Sequence, residues 1–198
     1  MPYPAFLALG LWTWGLLANA IGRGLGALVE NGALIGKVAV PQDIFIDARI
    51  AVSVMIDLAA FVLVLVALAA FGYRPAITGL PAMLAGLAVM ALFGYAMARI
   101  LAVLQVFLRD IGAAIGHLLT LWFFLSPVLY AREQLPGYVS CWLAFNPAAA
   151  PVEAVRAGFS NGPVDWLALA ISASVAIVLM LFSRWLFRRA RPHLEDFL

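Results

Sequence analysis

Long apolar runs, each about the length that crosses a lipid bilayer, are the feature that most constrains this chain. A membrane-spanning helix needs about 20 largely apolar residues. Five such runs lie at about 4–27, 50–71, 80–104, 111–130 and 164–187. Only 11% of the 198 residues are charged, against about 25% in an ordinary soluble domain. The sequence therefore predicts an all-α integral membrane protein, with residues 1–198 forming a single transmembrane domain of about five spans.

The positions of lysine and arginine predict which side of the membrane each loop faces, because basic residues collect in cytoplasmic loops. One side of the predicted spans collects Arg23, Lys37, Arg49, Arg99, Arg109, Arg184, Arg188, Arg189 and Arg191. The other side has Arg74, Arg132 and Arg156. We therefore expect a multi-pass membrane protein, with its C-terminus and the segment 28–49 in the cytoplasm.

The N-terminus opens almost inside an apolar run, without a basic leader or a convincing signal-peptide cleavage site. An odd number of spans would place this N-terminus outside the cell. We therefore expect that a first span and a cytoplasmic leader are missing, or that the start codon is misassigned.

The polar segment 28–49 interrupts the first two predicted spans. Its stretch "LVENGALIGKVAVP" has near-helical spacing and stops at Pro41. The predicted apolar stripe consists of Leu28, Leu34, Ile35 and Val38, with polar groups at Glu30, Asn31 and Lys37. Such a short amphipathic helix is suited to insertion into a groove on a partner protein. The alternative is a solvated connector.

Two pairs of opposite charges are further candidates for a structural role. Arg109 and Asp110 stand directly before the fourth predicted span, either as flanking charges at the lipid boundary or as a sharp turn in which Asp110 caps the next helix. Asp57 and Arg99 lie inside two successive spans at what the sequence predicts to be matching depth. Since an unpaired intramembrane charge is costly, we expect them to pair and clamp the two helices. Snorkelling of Arg99 to the interface and a proton or ion relay are the alternatives.

Aromatic residues are abundant, and most are expected in interface belts and helix packing. A path for sugars could also be lined by some of them, because aromatic faces match carbohydrate C–H faces. The candidates are Trp12, Trp14, Phe123, Phe124 and Tyr130.

The sequence predicts no catalytic apparatus and no metal site. It contains no ATP-binding GxxxxGK[ST] loop, its single cysteine excludes a cysteine cluster, and His117 and His193 lack the spacing of a metal motif. A net charge of +2 gives no indication of nucleic-acid binding.

Four stretches occur in one order along the chain: "ENGALIGKVAVP", "VFLRDI", "FFLSPVLY" and "LAFNPAAAPVEAVRAG". Together they resemble the membrane subunit of ATP-binding-cassette exporters that export O-antigen, capsule or teichoic acid chains. The resemblance runs from Tyr3 to the C-terminal tail. The family fold has six spans and an N-terminal cytoplasmic helix, and Arg99 departs from its usual small or apolar residue.

This resemblance implies a homodimeric permease joined to two copies of a separate ATPase, which would bind ATP and Mg²⁺. It implies that the coupling helix docked on that ATPase contains Glu30, Asn31, Leu34, Lys37 and Pro41. Arg109 and Asp110 would mark a cytoplasmic corner. The outer end of the fourth span would contain Ser126, Pro127 and Tyr130, and short re-entrant helices in 131–163 would contain Asn146, Pro147, Glu153 and Arg156.

The function implied is export of a lipid-linked polysaccharide or a similar cell-envelope polymer across the bacterial inner membrane. The alternatives are an exporter of a drug or small lipid with the same fold, and an integral membrane transferase acting on lipid carriers. An ion-coupled secondary transporter with Asp57 as the coupling acid would predict internal repeats, and no convincing repeat is visible in the sequence.

Overall fold

The computed structural model describes residues 1–35, 37, 40–108, 110–136, 143 and 145–194. Helices are the only regular secondary structure in these ranges. They are α1 Tyr3–Leu25, α2 Gly32–Ile35, α3 Asp43–Ala70, α4 Leu80–Phe107, α5 Ile111–Leu125, α6 Ala149–Ser160 and α7 Trp166–Leu194. Short 3-10 turns lie at Val29–Asn31, Ile77–Gly79 and Arg132–Gln134. The predicted all-α class is confirmed.

Four helices, α1, α3, α4 and α7, belong to segments that are long and apolar enough to cross a membrane. The fourth predicted span, 111–130, is helical only as far as Leu125. The 15 residues of α5 rise about 22 Å at 1.5 Å per residue, less than the roughly 30 Å of a bilayer core. The helix stops because Ser126 precedes Pro127, and a residue before proline favours an extended backbone, here φ −97° and ψ 148°. The five predicted spans thus become four long helices and one shorter apolar helix.

Two other helix boundaries differ from the apolar runs that predicted them. Helix α3 begins at Asp43 rather than near residue 50, and α7 continues to Leu194 rather than ending near residue 187. Polar side chains occupy both extensions. Hydropathy marks where a lipid-embedded stretch ends, whereas a helix continues for as long as its backbone hydrogen bonds are favourable.

Helix α4 is the centre of the bundle and packs against α1, α3, α6 and α7. Small residues allow these contacts, as is common in membrane helices. A Cβ at Gly94 would lie 3.1 Å from the Cα atom of Leu17 on α1. A Cβ at Gly158 on α6 would lie 2.5 Å from the carbonyl oxygen of Gly79. Close backbone approach therefore fixes α1 and α6 against the central helix.

The two ends of the bundle differ in the residues and helices that they contain. One apolar cluster joins the C-terminal parts of α1, α4 and α7 to the start of α3 through buried Ile35, Ile46, Val106 and Phe187. At the other end, α6 lies beside the turn before α4, where the backbone N–H of Ala76 donates to the carbonyl oxygen of Phe159 at 3.2 Å. The polar segment and the basic end of α7 therefore share one end of the molecule, and α6 lies at the other.

Candidate functional site

The polar segment after α1 forms a short helical turn with an inward and an outward side. Leu28 and Ile35 are buried, with exposed fractions of 0% and 6%. Leu34 is 50% exposed, so the predicted apolar stripe is divided between the bundle and the surface. Val38, the fourth member of that stripe, lies outside the described residues.

Side-chain contacts hold this segment against the neighbouring helices. A carboxylate oxygen of Glu30 lies 2.5 Å from a guanidinium nitrogen of Arg49 on α3. The side-chain amide of Asn31 donates to the carbonyl oxygen of Ala27 at 2.8 Å. Of the five predicted coupling residues, Glu30 and Asn31 thus anchor the segment.

The other three coupling residues are Leu34, Lys37 and Pro41, and all are exposed. The backbone N–H of Lys37 donates to the carbonyl oxygen of Leu34 at 2.9 Å, which continues the turn beyond α2. Pro41 lies two residues before α3, and its carbonyl oxygen accepts from the N–H of Ile44. Leu34 and Lys37 therefore present an apolar and a basic side chain side by side on an anchored turn.

The predicted corner between α4 and α5 is present as a short turn. The backbone N–H of Ile111 donates to the carbonyl oxygen of Leu108 at 3.1 Å. Asp110 is the N-cap residue of α5, but its side chain makes no capping hydrogen bond, so the predicted side-chain cap is wrong. Arg109 lies outside the described residues.

Arg99 pairs with Asp47 rather than with Asp57, and this corrects the predicted intramembrane pair. The guanidinium of Arg99 is 5% exposed and forms its ion pair with the Asp47 carboxylate on α3. Asp47 and Asp57 are ten residues apart, or about 15 Å along the helix axis. The sequence-based depth of Asp57 was measured from residue 50, whereas α3 begins at Asp43. The true start of α3 brings Asp47 to the level of Arg99.

Further contacts of Arg99 join three helices. The Tyr95 hydroxyl on α4 donates to the Asp47 carboxylate at 2.6 Å and accepts from Arg99 at 3.1 Å. The guanidinium carbon of Arg99 lies 5.4 Å from the ring centre of Phe187 on α7, within the range of a cation–π interaction. We call Asp47, Tyr95, Arg99 and Phe187 the Arg99 cluster.

Asp57 has partners of its own. Its carboxylate accepts from the side-chain amide of Asn19 on α1 at 2.8 Å and from the Ser53 hydroxyl at 3.4 Å. Asp57 is 7% exposed, and a buried polar group requires such hydrogen bonds. These contacts link α1 to α3.

The aromatic residues proposed for a sugar path divide into packed and exposed members. The Trp14 ring lies edge-on to those of Trp122, at 5.6 Å, and Phe123, at 5.8 Å. Trp14 is only 6% exposed, whereas Trp12 is 39% exposed and Phe124 58%. Trp14 is therefore a packing residue, which leaves the exposed aromatics as the candidates for a path.

The break after α5 is held by Asn146 from the predicted re-entrant segment. Its side-chain amide donates to the Ser126 hydroxyl at 2.8 Å. The side-chain carbonyl oxygen of Asn146 accepts from the Trp122 indole N–H and from the backbone N–H of Ala148, each at 3.0 Å. Tyr130 donates to the carbonyl oxygen of Phe124 at 3.2 Å.

Arg156 on α6 is buried, with 6% of its surface exposed. Its guanidinium donates to the backbone carbonyl oxygens of Phe6, Pro127 and Val128 at 3.1, 2.5 and 2.6 Å. Its charged carbon lies 3.5 Å from the ring centre of Phe6. Because the turn at Ser126 leaves the carbonyls of Pro127 and Val128 outside a helix, Arg156 supplies the donors that they lack. It fixes α6 to the start of α1 and to the end of α5.

Sequence reasoning missed Asp47, Tyr95, Asn19 and Ser53. Two of them were detectable, since Tyr95 and Arg99 are four residues apart on a helix and so share a face, as do Ser53 and Asp57. Within the described ranges, no group of three or more His, Cys, Asp or Glu residues could hold a metal ion.

Comparisons with known proteins find membrane transport proteins as relatives. The family model described as ABC-2 type transporter matches residues 38–160. The O-antigen export system permease protein RfbA of Klebsiella pneumoniae is 23% identical over 199 aligned positions, which cover 99% of this chain and 76% of the relative. The protein of the same name from Myxococcus xanthus is 27% identical, over 98% of this chain and 75% of the relative.

Proposed function

Because this chain belongs to the ABC-2 type transporter family, we propose that it is the membrane permease subunit of an exporter for lipid-linked polysaccharide. Its relatives are named as permeases of O-antigen export systems, which supports this cargo. ATP and Mg²⁺ bind to a separate ATPase subunit, and the complex contains two copies of the permease. The protein lies in the bacterial inner membrane with its C-terminus in the cytoplasm.

The single observation that carries the proposal is the anchored turn with Leu34 and Lys37 on its outer side. A half-exposed leucine next to a lysine suits a partner groove that is apolar at its centre and acidic at its edge. Buried Leu28 and Ile35 hold the turn to the bundle. The exposed Glu30–Arg49 ion pair adds a contact with α3. A force applied to this turn therefore reaches the membrane helices instead of being lost in a flexible loop.

The route of that force into the bundle follows from the contacts of α3. Helix α3 begins at Asp43, shortly after the turn, and its first turns contain Asp47, which pairs with Arg99 on α4. Arg99 in turn packs on Phe187 of α7. ATP binding closes the ATPase subunits, moves the turn, and shifts the population of the permease between two arrangements of its spans.

The path for the glycan runs between the two permease copies. Among the described residues, none in α5 is buried, so this helix has a free face for the second copy or for cargo. The exposed rings of Trp12 and Phe124 and the half-exposed ring of Tyr130 offer surfaces to sugar C–H groups. The alternative cargo is a drug or small lipid, and a transferase acting on lipid carriers is a more distant alternative.

Co-purification of the partner ATPase tests the proposal. Leu34→Asp places a charge in the partner's apolar groove, and Lys37→Glu reverses the charge beside it. We expect each variant to reduce the ATPase recovered with the permease at least about tenfold, while membrane insertion is unchanged.

Matched controls lie at the other end of the bundle. Ile77 is 82% exposed and Arg74 is also exposed, so Ile77→Asp and Arg74→Glu make the same chemical changes far from the turn. They should leave co-purification intact. An equal loss of co-purified ATPase in both sets of variants would contradict the proposed coupling role. So would undiminished recovery of the ATPase with the Leu34 and Lys37 variants.

A further inference from the structure

A cavity of about 520 Å³ opens between the C-terminal part of α1 and the N-terminal part of α3. It is lined by Gly22, Arg23, Glu30, Ala48, Arg49 and Val52. We call it the α1–α3 groove. It lies within about three turns of the helix ends, at the end of the bundle where basic residues collect.

The charges of the groove favour an anion. Arg23 and Arg49 supply two guanidinium groups and Glu30 one carboxylate, which leaves an excess of positive charge. Arg23 has no ion pair within the part of the chain that the structure describes. The Glu30–Arg49 pair is open to solvent, with side chains 59% and 36% exposed, and such a pair contributes little stability. Arg49 is therefore able to exchange Glu30 for a phosphate oxygen, with which arginine forms strong paired hydrogen bonds.

The shape of the groove favours an anion that carries an apolar tail. Gly22 and Ala48 leave its floor open, and a Cβ placed at Gly22 would meet nothing within 4 Å. Beyond the arginines, apolar side chains continue along one face of α3 toward its C-terminal end. Their exposed fractions are 54% for Val52, 47% for Ile56 and 69% for Leu63. A charged site at the helix ends thus leads directly onto a lipid-facing apolar stripe.

We propose that the α1–α3 groove binds the phosphate headgroup of an anionic phospholipid, with its acyl chains along Val52 and Ile56. Basic pockets between membrane helices are a known setting for such headgroups. Because the phosphate competes with Glu30 for Arg49, a bound lipid separates the Glu30 carboxylate from α3, while buried Leu28 and Ile35 keep the turn with Leu34 and Lys37 in place. Lipid binding itself does not depend on the proposed export function.

Native mass spectrometry of the purified permease tests this site with lipids of identical acyl chains. The probes are phosphatidylglycerol, phosphatidylcholine and inorganic phosphate. We expect retention of phosphatidylglycerol over phosphatidylcholine, and no effect of equimolar phosphate on that retention. Arg23→Gln and Arg49→Gln should each weaken phosphatidylglycerol binding about fivefold, whereas Glu30→Gln should strengthen it by freeing Arg49.

Two further variants separate the groove from general surface charge. Gly22→Leu changes no charge and fills open space, so it should block the lipid without disturbing the fold even if an arginine variant fails to fold. The double variant Arg188→Gln, Arg189→Gln removes two exposed charges from the same end of the bundle and should leave binding unchanged. Equal binding of both lipids, displacement by free phosphate, or a loss in the Arg188–Arg189 variant equal to that in the groove variants would overturn the proposal.

Discussion

The guanidinium of Arg99 on α4 forms an ion pair with the carboxylate of Asp47 on α3, one turn into the helix that follows the turn with Leu34 and Lys37. Arg99 is nearly fully buried, while the Asp47 side chain is 41% exposed. The Tyr95 hydroxyl binds both partners. Together with the contact of Arg99 with Phe187 on α7, this arrangement connects α3, α4 and α7 at the end of the bundle that carries Leu34 and Lys37.

Asp47→Asn should destabilise the protein, because it leaves the buried Arg99 without its counter-charge. Loss of one partner of a buried pair costs about 3–5 kcal/mol, and the partial exposure of Asp47 points to about 3 kcal/mol. The thermal midpoint of unfolding in detergent measures the loss of stability.

The double variant Asp47→Leu, Arg99→Met should recover most of that stability, since no charge is then left buried. Glu30→Gln, at an exposed pair, should cost below about 1 kcal/mol. Equal effects for Asp47→Asn and Glu30→Gln would contradict this ranking.

Arg156→Met should also be strongly destabilising, since three backbone carbonyls lose their donor. With about 1–3 kcal/mol for each buried unsatisfied group, we expect a loss of roughly 3 kcal/mol or more, measured by thermal unfolding in detergent. Arg156→Lys should recover only part of this, because a single ammonium cannot reproduce the planar fork of arginine. The matched control is Arg132→Met, at a partly exposed ion pair of 3.8 Å, which should change the midpoint little. Full rescue by lysine would show that charge alone, and not the geometry of the donors, fixes α6.

Gly158→Ala tests the close approach of α6 to the turn before α4. The added methyl group would lie 2.5 Å from the Gly79 carbonyl oxygen and 2.6 Å from the side chain of Met83. Overpacking of this kind costs about 1–3 kcal/mol, and the thermal midpoint should fall accordingly. Gly116→Ala is the matched control, because a Cβ there meets nothing within 4 Å. That control should be neutral or slightly stabilising, by up to about 1 kcal/mol. A Gly158→Ala variant as stable as the Gly116→Ala variant would contradict the packing described.

Apolar runs predicted the four long helices described for this fold, because exposure to lipid leaves a strong compositional signal. The first span was expected at about 4–27 and lies at Tyr3–Leu25. The same signal failed at the start of α3, where Asp43, Asp47 and Arg49 resemble a loop. Two of these residues are paired only in the folded bundle, Asp47 with Arg99 and Arg49 with Glu30, and no local pattern reveals that pairing.

The polar sites were predictable by residue type but not by partner. A buried charge at Asp57 or Arg99 was expected to find compensation, and each does. Which group provides it depends on the register and rotation of each helix. A shift of one residue along a helix changes the depth of a side chain by about 1.5 Å. The carbonyl oxygens bound by Arg156 were beyond sequence reasoning, because backbone acceptors carry no residue signature.

We propose that the turn with Leu34 and Lys37 faces the cytoplasm and is covered by the ATPase. Leu34→Cys, made in a Cys141→Ser background so that it is the single cysteine, should react with an impermeant maleimide in inverted vesicles and not in intact cells. The partner ATPase should protect it, and Ile77→Cys at the opposite end should show the reverse sidedness. Labelling of Leu34→Cys in intact cells would contradict the cytoplasmic position of the turn. Labelling in inverted vesicles that the ATPase leaves unchanged would contradict the proposed contact with the ATPase.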